Sequence, residues 1–428
     1  MTEKPARAAV ALGIAALSMA VVAGLPARAA AQSDEALRHR IEAMEQRLDQ
    51  MNDMAKQLET LKQELAKTRQ QETAAARQAS TDDSRSINWH LAGFGTADYT
   101  ATNASGENDS FGAGGISPIF LVGYKDLVFW ESELELSTLT DGSTKLELEF
   151  SNINLLATDW LTLTAGKFLS PIGDFQQHLH PTWINKLPDR PAGFVEDGGN
   201  EPLSEVGAML RGAFPVGSTT FDYAVFAGNG PRLNDTADAG VKMEGFGGDD
   251  NNNKAFGGRI GWRPLPYLSV GVSGMRSKIK GNVGSGGTVG QSVYDVEDID
   301  AAFTKGNWDI RGEYIRSHLD NLLTAIDLVS APVQIPDSSW HSWYAQVAYR
   351  LAGITDNKVL GNFEPVVRYS QFDASGLADF TGNEEKRLSV GLDYWFAPSL
   401  VAKIAYENKD FANKANEDVL RVQMAFGF

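Results

Sequence analysis

From Ile87 to Phe428 apolar residues recur at every second position in segment after segment, and this period constrains the fold more than any other feature. Successive side chains of an extended strand point to opposite faces, so a two-residue period makes a sheet with one apolar and one polar face. In 127–138, Val128, Trp130, Leu134 and Leu136 alternate with Phe129, Glu131, Glu133 and Glu135. In 385–396, Leu388, Val390, Leu392, Tyr394 and Phe396 alternate with Arg387, Ser389, Gly391, Asp393 and Trp395. The last ten residues, VLRVQMAFGF, set Leu420, Val422, Met424, Phe426 and Phe428 against Arg421, Gln423, Ala425 and Gly427.

Sixteen segments read as strands: 88–100, 116–125, 127–138, 145–156, 160–169, 204–214, 218–228, 255–264, 267–278, 291–304, 307–318, 340–350, 362–372, 385–396, 399–410 and 418–428. Most have the length of a tilted membrane-crossing strand and are long for a globular one. Connections such as YKD, TD, PVG, PLP, KG and APS are short, whereas 101–115, 170–203, 229–254, 279–290, 319–339 and 373–384 are long. TDGST and 411–417 are the short exceptions on the long side. Short turns on one side and long loops on the other predict an all-β, sixteen-stranded antiparallel transmembrane β-barrel whose short turns face the periplasm. A β-sandwich would alternate as well. Strand length, loop asymmetry and aromatics near strand ends (Trp89, Trp130, Trp160, Trp262, Trp308, Trp343, Phe396) favour the barrel with its interfacial girdles.

The residues before this region read differently. Lys4 and Arg7 precede the apolar run AAVALGIAALSMAVVAGL, and Pro26 and Ala29-Ala30-Ala31 follow, so 1–31 reads as a secretory signal peptide. The absence of Cys fits an oxidising compartment. Leu37, Ile41, Met44, Leu48, Met51, Met54, Leu58, Leu61 and Leu65 then form a heptad seam about 45 Å long with one stammer, which predicts an N-terminal α-helical coiled coil over 33–68. Arg40 and Glu45 flank the core pair Ile41 and Met44 at g and e positions, where Arg40 of one helix reaches Glu45 of the next. This resembles the short motif that specifies trimers. The alternative is a single amphipathic helix packed on the rest of the chain. Residues 69–86 carry no periodic apolar face and read as a linker to the barrel at 87–428.

A sixteen-stranded barrel is too wide for side chains to fill and leaves an aqueous channel, so its character depends on what narrows and charges that channel. The longest connection, SPIGDFQQHLHPTWINKLPDRPAGFVEDGGNEPL, is rich in Pro and aromatics and is expected to pack as a constriction, with Lys186 and Arg190 attracting anions and His178 and His180 nearby. Twelve basic and twelve acidic residues before Ile87 cancel, so the whole net charge of −17 falls on the barrel. Alternation turns Arg211, Arg259, Arg311, Arg368, Arg387, Lys403 and Arg421 inward, and clusters inward Glu131, Glu133, Glu135, Glu147 and Glu149 on two neighbouring strands. Opposed acidic and basic walls would set a field across the channel. Inward carboxylates such as Asp309, Glu313, Glu364, Asp393 and Glu407 would instead neutralise those bases one by one. No metal site or cofactor is expected: His178-x-His180 lacks further ligands, and GGDDNNNK lacks EF-hand spacing.

The exported coiled coil, the sixteen-strand alternation, the stretch Gly166-Lys167-Phe168 to Gly173 (G-K-F-x-x-P-x-G) and terminal Phe428 together resemble the phosphate-selective porin O/P-like family and the related dicarboxylate-uptake porins of Gram-negative bacteria. The resemblance implies a homotrimer of outer-membrane channels that pass small anions such as phosphate or carboxylates by diffusion. It also implies contact with outer-membrane lipid and lipopolysaccharide, and recognition of Phe428 by the outer-membrane assembly machinery. Phosphate-selective members carry clustered pore lysines, whereas the third loop here has only Lys186 and Arg190 against several acids. A second reading makes the chain a structural envelope protein, with the coil as a spacer or a tether to peptidoglycan. An enzyme would need a Ser/His or Asp/His constellation near a rim, and His39, His90, His178, His180, His318 and His341 stand in no recognisable catalytic motif.

Overall fold

A computed structural model describes residues 87–428 except 113, 196–198, 201, 235–239 and 376–383. The signal peptide, the coiled coil with Arg40, Ile41, Met44 and Glu45, and the linker lie outside the described residues.

Among the described residues sixteen long strands form one closed antiparallel wall. They are β1 Ile87–Thr102, β2 Gly115–Tyr124, β3 Val128–Thr138, β4 Thr144–Thr158, β5 Leu161–Leu169, β6 Ser204–Val216, β7 Thr219–Gly228 and β8 Ala255–Leu265. There follow β9 Leu268–Lys280, β10 Gln291–Lys305, β11 Trp308–Leu319, β12 Ser338–Tyr349, β13 Phe363–Ser375, β14 Glu385–Ala397, β15 Leu400–Phe411 and β16 Glu417–Gly427. Each strand pairs with its chain neighbour, and β16 returns to β1 from Phe94↔Gly427 to Thr102↔Val419. Closure satisfies the backbone groups that an open edge would leave bare in hydrocarbon, each at a cost of several kcal/mol. Backbone bonds Phe428 N–H to Gly93 O (2.9 Å) and Gly93 N–H to Phe428 O (3.0 Å) complete the seam.

The alternation is obeyed. On β14 Glu385, Arg387, Ser389, Gly391, Asp393 and Trp395 are buried, while Leu388, Val390 and Leu392 are exposed. Trp89, Trp160, Trp262, Trp308 and Phe396 are exposed near strand ends, whereas Trp183, Trp340 and Trp395 turn into the barrel. Most turns on the β1 N-terminal side span two or three residues, but 350–362 folds into two short helical pieces. On the opposite side the third connection, 170–203, enters the lumen.

Candidate functional site

The stretch 166–173 turns the chain inward. Pro171 stiffens the exit from β5, and Gly173 adopts φ +78°, a left-handed conformation that suits Gly; a Cβ there would run into the Glu313 carboxylate. That carboxylate accepts from the backbone N–H groups of Asp174 (3.1 Å) and Phe175 (3.0 Å), at the start of the one-turn helix α1, Phe175–His178. Gly173 N–H donates to Ser273 Oγ on β9 at 3.0 Å.

The loop is then fixed along β11–β16 by charge. The Asp189 carboxylate receives Arg387 at 2.8 Å, Arg421 at 3.2 Å and Lys409 at 3.6 Å, while its backbone carbonyl accepts from the fully buried Arg368. Burial pushes the Asp189 carboxyl up, but Arg387, Arg421, Lys409 and Arg368 together hold it well below the usual carboxylate range. Asp174 is likewise lowered: burial opposes ionisation, and His178 at 2.8 Å, Arg259 and Arg311 outweigh it. Lys403 donates to the carbonyls of Thr182 and Asn185. Ala192 N–H bonds Ser370 Oγ at 3.0 Å, and Asn200 Nδ2 bonds Ile315 O at 2.9 Å.

Apolar packing reinforces this grip. Phe175 and Phe194 each meet the Tyr344 ring edge to face and are tilted against each other, with Phe194 and Tyr344 centroids 5.2 Å apart. Leu187 fills a cluster with Ala348, Val366 and Ala405, and Trp183 packs beside Trp395, Val401 and Ala425. The loop therefore packs onto the wall through several apolar clusters, and open space remains beside β3, β4 and β6.

That space contains three cavities. The first, about 510 Å³, is lined by Phe94, Asp98, Glu133, Glu135, Glu149, His180, Asp189, Arg190 and Arg421. The second, about 410 Å³, includes Asp174, His178, Arg211, Asp222, Arg259 and Arg263. The third, about 220 Å³, lies between Glu131, Phe150, Asn152, Gln177, His178 and Arg211.

The expected residues thus separate into groups. Arg190, Arg211, Arg421, His178 and His180 line cavities. Arg368, Arg387 and Lys403 are almost wholly buried against the loop. Arg259 also lines the second cavity but is gripped by Asp300, and Arg311 lies 2.8 Å from Asp309 and 3.6 Å from Asp174. Lys186 departs from the anion-attracting position expected of it: its ammonium sits 3.1 Å from Glu364 and over the Trp395 ring, and none of these three cavities includes it. Among the acids, Glu131 lies 3.7 Å from Arg211, Glu135 stands directly across from Glu147, and Glu147 is held by Lys145 at 2.6 Å. Glu149 is left over between the pairs Glu133↔Phe150 and Leu134↔Leu148; this β-bulge turns both Glu149 and Phe150 towards the lumen.

Asp189 and Gln176 were missed in the sequence. Asp189 lies in LPDRPAG and resembles an ordinary turn acid; only its position beneath Arg387 and Arg421 distinguishes it. At the outer rim His318 Nδ1 lies 2.7 Å from Ser339 Oγ and its Nε2 3.1 Å from Asp320, a contact on the outward face away from the cavities. Among the described residues no group of three or more His, Cys, Asp and Glu side chains is placed to hold a metal ion.

The family model described as phosphate-selective porin O and P matches residues 226–428, from the end of β7 through β16. No curated protein matches the sequence. The fold is shared with an anion-selective porin from Comamonas acidovorans (TM-score 0.54, 11% identity, 80% of this chain and 100% of that one). It is also shared with the outer membrane channel DcaP of Acinetobacter baumannii (0.52, 11%, 80% and 97%) and Salmonella typhi OmpF (0.51, 13%, 80% and 98%). The matched segment contains Glu313, Arg368, Arg387, Lys403, Lys409 and Arg421, which hold the loop in the lumen, and over these residues the chain is similar to the phosphate-selective porin O and P family.

Proposed function

We propose that this porin passes small hydrophilic anions, carboxylates or phosphate, by passive diffusion along the cavities left beside the third loop. The observation that carries the reading is where the guanidinium groups stand. While the bases of β13–β15 are absorbed by the loop, Arg190, Arg421 and Arg211 line successive cavities, and the Arg211 side chain is 43% exposed. An anion moving past them would exchange hydration for charge-assisted hydrogen bonds without meeting a closed cage. Facing acids on β3 and β4 would orient it. The expected result is a zero-current potential of anion-preferring sign in a KCl gradient across a bilayer holding the full chain; a cation-preferring sign would refute the reading.

The heptad seam supports a homotrimer joined by a periplasmic coil over 33–68, with Arg40 and Glu45 pairing around Ile41 and Met44. Lipid and lipopolysaccharide would surround the exposed apolar band, the coil would lie at the level of peptidoglycan, and Phe428 would serve the assembly machinery. Deleting 33–68 should reduce the trimer on native gels while leaving single-channel conductance unchanged, and unaltered assembly would remove that role from the coil.

A further inference from the structure

Gln176 is fully buried, yet it projects from α1 across the lumen to the opposite wall. Its Oε1 accepts from Arg190 Nη1 at 3.0 Å, and its Nε2 donates to Glu149 Oε1 at 2.9 Å. One carboxamide thus bridges a guanidinium on the loop and a carboxylate on β4. Arg190 and Glu149, the two ends of the bridge, both line the first cavity. Glu133, Glu149 and His180 line the first, while their neighbours Glu131, Phe150 and His178 line the third. Beside it Glu133 Oε2 is buried and accepts no hydrogen bond, and His180 Nε2, 3.7 Å away, is likewise unmatched.

We propose that Gln176 is the resident occupant of a zwitterion subsite, and that a solute bearing a carboxylate and an ammonium on one carbon, an α-amino acid, takes its place during passage. The amide presents an acceptor to Arg190 and a donor to Glu149 from a single carbon. An α-amino acid presents the same pair one bond further apart, with a full charge at each end. Bonds charged at both ends are stronger than the amide's, which carry charge only on the Arg190 and Glu149 side, and the ammonium carries a further donor for the unmatched Glu133 oxygen. A side chain competing for its own site acts at an effective concentration of about millimolar or more, so the external solute binds weakly and leaves again. A simple anion satisfies Arg190 but brings no donor to Glu149 or Glu133. A simple cation fails at the other end.

This inference rests on the channel reading, and its test separates the two. Full-length protein in a planar bilayer is titrated at neutral pH with glycine and with glycolamide, its uncharged isomer of equal size, while the KCl current is recorded. Glycine should lower the current saturably and glycolamide should not. Gln176→Ala should reduce the half-saturating glycine concentration by about tenfold, the removed competitor being an intramolecular one. Glu149→Gln and Arg190→Gln, which attack the site from either wall, should each abolish saturation even where Gln176→Ala disturbs the loop. Equal effects of the two isomers, or saturation that survives both charge-removing variants, would overturn the subsite while leaving the channel standing. No current at all would overturn the channel itself.

Discussion

Along β13–β15 the inward bases are buried against the third loop, whereas on β3, β4 and β6 several inward charges line open cavities. Both stretches follow the same alternation and both carry inward charge. On β13–β15 Arg368, Arg387 and Lys403 are buried and committed to the loop. On β3–β6 Glu131, Glu133, Glu135, Glu149 and Arg211 line cavities. The contrast teaches that an inward charge in a wide barrel can serve as structure or as channel wall, and that the third loop assigns the role by choosing its side. A charge buried under the loop must be paired to repay its desolvation, while one left in water need not be.

The sharpest way to break the comparison is Asp189→Asn, which leaves Arg387, Arg421 and Lys409 crowded without their shared anion. Removing one partner from a buried charge cluster costs about 3 to 5 kcal/mol, a shift of about two to four decades in the docking equilibrium. Tryptic cleavage after Lys186, followed by mass spectrometry, should rise from negligible to prominent. The wild-type loop should tolerate acid, because the folded carboxyl of Asp189 is depressed. Its contribution is complete above the ordinary carboxylate value and is lost only as pH falls through the lowered one. Pepsin at about pH 3 should therefore leave the loop intact in the wild type.

Glu313→Gln tests the neutral part of the grip. One of the two N–H groups at the start of α1 keeps an oxygen acceptor and the other meets an amide nitrogen, so the loss should be about 1 to 3 kcal/mol, read as faster cleavage at the same site. On the open side Arg211→Gln should move stability by no more than about 1 kcal/mol, since its ion pair with Glu131 is 3.7 Å long and partly exposed. Its effect should appear instead in selectivity, as a zero-current potential shifted towards cations. An Arg211 variant that loosens the loop, or an Asp189 variant that changes only selectivity, would erase the distinction between the two walls.

The barrel was legible because lipid allows few answers: long amphipathic strands must close, and their faces follow from a two-residue period. The entry to the site was legible as well, since Pro171 fixes its own φ and Gly173 admits the left-handed turn that follows. Lys186 was misread and Asp189 overlooked for one reason. Whether a loop charge is free depends on which wall residues lie within 4 Å, and Glu364 and Arg387 are each more than 170 residues distant in the chain. The bulge at Glu149 was hidden too, because an extra residue shows only against its partner strand.

Local stereochemistry and the exclusion of unpaired backbone from hydrocarbon therefore determined, from sequence alone, the strands, their inward and outward faces, the closed wall and the point where the chain turns into the lumen. The tertiary structure decided which side of the lumen the loop fills, which charges it consumes and which remain beside water. Those outcomes depend on long-range pairing energies, and no local period records them.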